Sequence, residues 1–181
     1  MSRSEGRLSG RGCLIVGGTG GIGLATARRF LEEGARVVVC GNTPQSCDDA
    51  TGQLQHVGPS RSIAADATRP AEVAALLAEA VEFLGGRLDV LFHVAGISGR
   101  RFGDGPLHEC SAEGWDVVLE TNAKAMFLTN QASLRQMLAQ PLDEFGLRGT
   151  VLNMGSVLGW SPSPTSSAPM PMPRARGRSA R

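Results

Sequence analysis

The run Val16-Gly17-Gly18-Thr19-Gly20-Gly21-Ile22-Gly23 is the part of the chain best suited to chemistry. It follows the apolar residues 13–16 and precedes a helix-periodic stretch. Glycines at these places have separate tasks. Gly17 lets a strand turn sharply, Gly21 lets backbone approach a pyrophosphate, and Gly23 lets a helix pack close to a sheet. A helix start offers free N–H groups and the positive end of its dipole, so a phosphate is favoured there. The bland alternative is a flexible glycine loop. The strand–turn–helix context favours a dinucleotide site, with Thr19 and Ile22 in the same turn.

Other candidate groups are sparse. His108 and Cys110 are half of a metal-ligand pair, but no second pair has suitable spacing, so a loop is expected and no metal. Cys13, Cys40, Cys47 and Cys110 show no C-x-x-C spacing, which suits reduced thiols in a cytoplasmic protein. The chain has no tyrosine, and Lys124 is its single lysine.

The elements that must hold the glycine turn alternate in type. Residues 13–16 suit a buried parallel strand. Residues 21–33 carry Ile22, Ala25, Thr26 and Phe30 at helical spacing, and Gly34 stops them. Residues 36–40 (RVVVC) predict a second strand and 61–65 a third. Thr68 is a plausible N-cap with Pro70 in the first turn of a helix over 71–84. Residues 88–94 (LDVLFHV) predict a fourth strand. Ser111 caps helical sequence reaching residue 139, in one piece or two, and 149–154 (GTVLNM) predict a fifth strand. This alternation implies an α/β fold of βαβ units, a parallel sheet with helices on both faces.

Several further residues, in order, make the chain resemble the short-chain dehydrogenase/reductase family. The Gly17, Gly21, Gly23 spacing is that family's form. Asp66-Ala67 stands where the family places an Asp at the adenine ring. Residues 88–91 lead into Ala95-Gly96, the end of its N-N-A-G element. Thr121-Asn122, after Trp115-Asp116, resembles the helix carrying its supporting Asn. Residues 151–156, followed by Val157-Leu158-Gly159, resemble the strand end presenting its catalytic Ser. The resemblance spans about residues 11–160. It implies a Rossmann-type doubly wound parallel sheet, of whose seven strands about five are present, with the fifth left as an edge. It implies binding of NAD or NADP, and hydride exchange between the nicotinamide and a small carbonyl or alcohol substrate. Ser156 and Asn122 then take catalytic places.

The departures matter as much. His93-Val94 replaces the two asparagines of N-N-A-G; His93 reads as a structural substitution whose backbone lines the cofactor pocket beside Ala95 and Gly96. At the end of the second strand stand Cys40-Gly41-Asn42-Thr43. A carboxylate there would favour NAD and an Arg would favour NADP. Asn42 is neither, so the choice stays open with a slight lean to NADP. The family's Tyr-x-x-x-Lys pair, which moves the proton, is missing. An ordinary Tyr titrates near ~10, so the family's Lys is needed to bring it towards neutrality. Its place falls in residues 161–181, where five prolines exclude the helix it needs.

Composition bounds the rest. A net charge of +1 gives no field for nucleic acid, and no apolar run approaches the ~20 residues of a membrane span. Residues 1–10 read as a flexible arm, 11–160 as the nucleotide domain, and 161–181 as a disordered Pro/Ser/Arg-rich tail with four arginines and no acid. Arg3, Arg7 and Arg11 without an apolar core argue against a secretory signal and leave a mitochondrial presequence as the alternative to a cytoplasmic location. The abrupt change past Trp160 suggests a truncated or frameshifted family member whose catalysis is impaired. A non-catalytic nucleotide-binding protein, a homo- or hetero-oligomer partner through the helices of 111–139, and a product without function are the rival readings.

Overall fold

An apolar run with no polar face must be covered on both sides. In the computed structural model, which describes residues 6–156, β1 (Gly12–Val16) is buried along its whole length. It is flanked by parallel β2 (Arg36–Gly41) and β4 (Val90–His93), and the sheet is completed by β3 (Ser60–Ala64) and β5 (Thr150–Asn153) in the order β3-β2-β1-β4-β5. The expected α/β fold and its five parallel strands are present. Among the described residues β5 pairs only with β4, as expected of an edge.

Alternation along each strand divides the core. Leu14, Val16, Val38, Cys40 and Leu91 face α3 (Pro70–Phe83) and α5 (Ala125–Ala139). Cys13, Ile15, Val37, Val39 and Phe92 face α1 (Gly21–Glu32) and α2 (Pro44–Leu54). The helix α2 was not expected. Its sequence is mostly polar, but Cys47, Ala50 and Leu54 form its buried stripe. The start of α3 also differs: Arg69 occupies the cap position, because the Thr68 amide and hydroxyl are both taken by Asp66 (2.9 and 2.7 Å).

Residues 111–139 form one helical run in two parts. Ser111 caps α4 (Ala112–Leu119) by accepting from the Gly114 amide at 3.0 Å. A π-helical turn, Glu120–Lys124, then joins α4 to α5.

The N-terminal end of the sheet is tied by polar groups. Asp89 accepts from the Gly12 amide (2.8 Å), from Arg87 Nε (2.6 Å) and from Arg11 (3.4 Å), and Arg11 reaches on to Asp143 (2.7 Å). Residues 6–10 make contacts there as well: the Leu8 amide donates to the Glu33 carbonyl (3.0 Å), Arg7 pairs with the Glu33 carboxylate, and Leu8 packs on the core. The expected tail, the turn at 157–159 and Trp160 lie outside the described residues. Among those described, no helix is long and apolar enough to cross a membrane.

Candidate active site

The glycine turn is built by close approach. Gly17 has φ +83°, and a Cβ there would lie 2.6 Å from the Ala95 amide nitrogen. A Cβ on Gly23 would overlap the Gly17 carbonyl, so the start of α1 sits directly on the end of β1. Gly20 is the N-cap of α1 and has no side-chain partner there, and the first turn carries no acid. The first amides of α1 are thus uncapped and unopposed by negative charge, which is what an anionic ligand needs.

In front of this turn, at the carboxyl ends of β1, β2 and β4, lies an open cleft of about 700 Å³. A sheet whose order reverses beside its first strand leaves such a crevice. Gly17, Thr19, Ile22 and Gly23 line it. So do Asn42, Asp66, Ala67, Ala95 and Gly96. Nine expected residues from four separate segments therefore share one cavity.

Four expected residues do not line it. Gly21 has φ +48°, so its glycine serves the bend, and Gly20 takes its place at the cleft. His93 is fully buried with its ring turned towards α5, where Nδ1 lies 2.8 Å from Thr129 Oγ1. The side chain therefore faces away from the cleft, and the His93 backbone directly precedes the cleft-lining Val94. Asn122 is 5% exposed and spends its carboxamide on the backbone of Ile97. Ser156 is half-buried just past β5 and outside the lining.

Sequence reading missed the far wall, formed by Ile97 with Val117, Glu120 and Thr121. Ile97 directly follows Ala95-Gly96, and Thr121 directly precedes Asn122, so adjacency to the motifs was the available signal.

The electrostatics are quiet. Hydrogen bonds from the Thr68 hydroxyl and amide, with Arg69 beyond, hold the Asp66 carboxyl below the usual range. It is therefore an acceptor at neutral pH. Burial pushes the Cys40 thiol up to about 12, so it stays protonated and is no nucleophile. Burial likewise pulls His93 down to about 4, which leaves the ring neutral. Lys124 is half exposed and paired with Glu120. Among the described residues, no three side chains are grouped to hold a metal.

Comparison with known proteins gives the arrangement relatives. The family model described as short chain dehydrogenase matches residues 11–168. The chain is 35% identical over 154 residues to the rhamnolipids biosynthesis 3-oxoacyl-[acyl-carrier-protein] reductase of Pseudomonas aeruginosa, covering 85% of this chain and 57% of the reductase. The crystal structure of NAD+-bound xylitol dehydrogenase superposes with a TM-score of 0.78 at 27% identity, covering 88% of this chain and 58% of that one. The Pseudomonas aeruginosa RhlG/NADP active-site complex gives 0.70 at 32% identity, covering 86% and 56%. The chain thus spans less than two thirds of the length of each of these proteins.

Proposed function

The chain belongs to the short chain dehydrogenase family, and on that premise we propose that its cleft binds NAD or NADP, in the service of hydride exchange with a small carbonyl or alcohol substrate. One observation carries the reading: the uncapped start of α1, set against β1 by Gly17 and Gly23, opens on a cleft that nine expected residues share. Two structural relatives that are complexes of NAD+ and NADP support the class of ligand.

Each residue then has a task. The amides at the start of α1 bind the diphosphate, with Thr19 and Ile22 on the turn beside it. The Asp66 carboxylate and Ala67 meet the adenine. Asn42 faces the adenosine ribose with neither a carboxylate nor a cation, which supports a lean towards NADP. Ala95, Gly96 and Ile97 form the wall along the ribose on the nicotinamide side. When bound, the nicotinamide supplies or takes up the hydride. Asn122 fixes that wall, and in this reading Ser156, just past β5, supplies the hydroxyl that steadies a substrate oxygen. No tyrosine exists to exchange the proton, and Lys124 is engaged by Glu120. We therefore infer that these 181 residues alone bind the nucleotide and do not turn over.

Residues 11–160 act as one nucleotide-binding unit in this reading. Four free cysteines suit a reducing, cytoplasmic compartment. Exposed Trp115, Phe127, Leu134 and Leu138 support association with another copy or a relative through residues 111–139.

Thermal unfolding with NADP+ or NAD+ tests the proposal. Nucleotide at ~100 times its dissociation constant should add about 2.7 kcal/mol. No stabilisation by either nucleotide overturns the binding reading, and turnover of a carbonyl panel by the purified chain overturns the impairment.

A further inference from the structure

We propose that His93 and Thr129 are positioning residues for the cleft wall at residues 94–97, one of two pins that a single helical run sets on that wall. The inference rests on the reading of the cleft as a dinucleotide site.

The wall is a short stretch of backbone. Val94, Ala95, Gly96 and Ile97 all line the cleft. The amides of Val94 and Ala95 share one acceptor, the Val16 carbonyl, at 2.9 Å each. Beyond that point no strand pairing holds the chain, since β4 ends at His93. Side chains of the run α4 to α5 hold it instead. At the far end, Asn122 accepts from the Ile97 amide (2.8 Å) and donates to the Ile97 carbonyl (2.9 Å). At the near end, His93 Nδ1 meets Thr129 Oγ1 at 2.8 Å. Asn122 and Thr129 are about two helical turns apart and both buried, so they face the sheet side together.

The near pin is stiff because each partner is fixed twice. Thr129 Oγ1 also lies 3.0 Å from the Ala125 carbonyl and 3.2 Å from that of Met126, which sets its rotamer. His93 is anchored through its backbone, whose carbonyl accepts from the Met154 amide at 2.9 Å. Among the described residues the other ring nitrogen, Nε2, has no hydrogen-bond partner, and the ring also interacts with the Ala95 backbone of the wall itself; Thr129 makes the side-chain contact that orients it. Without that hydroxyl the buried imidazole loses this contact and would turn or shift. Val94 is the next residue along, so the shift is passed straight into the wall.

Thr129→Val removes the hydroxyl at nearly constant volume, and Thr129→Ser keeps it. The readout is the dissociation constant for NADP+, taken by calorimetry well below the melting temperature of each variant. T129V should weaken binding about tenfold, which corresponds to a competent wall in about one molecule in ten. T129S should bind within about twofold of the parent chain. His93→Leu removes both ring nitrogens at similar volume and should match T129V, and the double variant should lose no more than either alone. H93L also carries the test if T129V does not fold. Parent-like binding by T129V or H93L, with only a lower melting temperature, means a merely structural contact and overturns the inference. If the parent chain binds neither NADP+ nor NAD+, the cleft reading falls and this inference falls with it.

Discussion

Asn122 takes up both backbone groups of Ile97, accepting from its amide and donating to its carbonyl, across 25 residues of sequence. The carboxamide thereby acts as one rung of a sheet between a helix and a loop that has no strand neighbour. The π-helical turn at Glu120–Lys124 falls at the same place, where a widened helix lets Asn122 reach inward.

Asn122→Ala leaves both Ile97 groups, part-buried beside the open cleft, without that partner. Water can reach them in part, so the cost should be about 1 kcal/mol, the lower end for polar groups left unpaired. Asn122→Asp should cost at least as much, because a carboxylate can accept from the amide but faces the carbonyl with negative charge. Urea unfolding of the two variants measures this, and a loss below ~0.5 kcal/mol for N122A would show the rung to be dispensable.

Asp89 does comparable work at the other end of β4. Its carboxylate accepts from the buried Gly12 amide and from Arg87 and Arg11, tying the start of β4 to β1, and the two arginines reach on to the segment before β5. Asp89→Ala leaves an amide and two guanidinium groups short of an acceptor. Both arginines keep other partners and part of their hydration, so the expected loss is at the lower end for a broken buried pair, about 3 kcal/mol. Differential scanning calorimetry should show the melting temperature fall by roughly 6–12 °C.

Much of this was legible in the sequence where the determinants are local. The apolar run at 13–16, the glycine turn and Gly34 define β1, the bend and α1 without help from elsewhere. The helix α2 escaped because PQSCDDATGQL has a narrow apolar stripe, although Thr43 and Pro44 carry a cap and first-turn signal that could have found it. Thr68 misled because its hydroxyl turns back to donate to an Asp two residues earlier. The partners of Asn122 and His93 were out of reach, since Ile97 and Thr129 meet them only through tertiary packing. Likewise, Gly21 belongs to the motif but serves the bend rather than the cleft.

On the proposed reading Asn42 stands at the adenosine ribose, and Gly41 beside it must stay small, since a Cβ there would lie 2.6 Å from Thr19. Asn42→Asp should weaken NADP+ about tenfold and spare NAD+, and Asn42→Arg should strengthen NADP+ by a similar factor. One charge at a ribose phosphate in a half-solvated cleft is worth about 1.4 kcal/mol, which is that factor. Calorimetric titration with the two nucleotides checks it, and unchanged NADP+/NAD+ ratios in both variants would place the discriminating contact elsewhere.

His93 should set the acid limit of stability. Burial lowers its pKa from 6.5 to about 4 in the folded chain. The unfolded chain therefore binds the extra proton first as pH falls, and stability drops from pH 6.5 downward until the folded state is protonated as well, near pH 4. The whole window is worth about 3 kcal/mol, of which about 2 should be gone by pH ~5. Asp66, Asp143 and Glu33 are all lowered by hydrogen bonds and arginines, so their share is lost only at more acid pH and does not overlap most of this range. Its neighbours Asn153 on β5 and Thr129 on α5 are uncharged, and among the described residues no carboxylate acts on the ring to offset the imidazolium. His93→Gln cannot be protonated and should flatten the slope of unfolding free energy between neutral pH and about pH 5, whatever it costs at neutral pH. Equal slopes for the parent chain and H93Q in urea titrations across that range would mean that another group governs the acid limit.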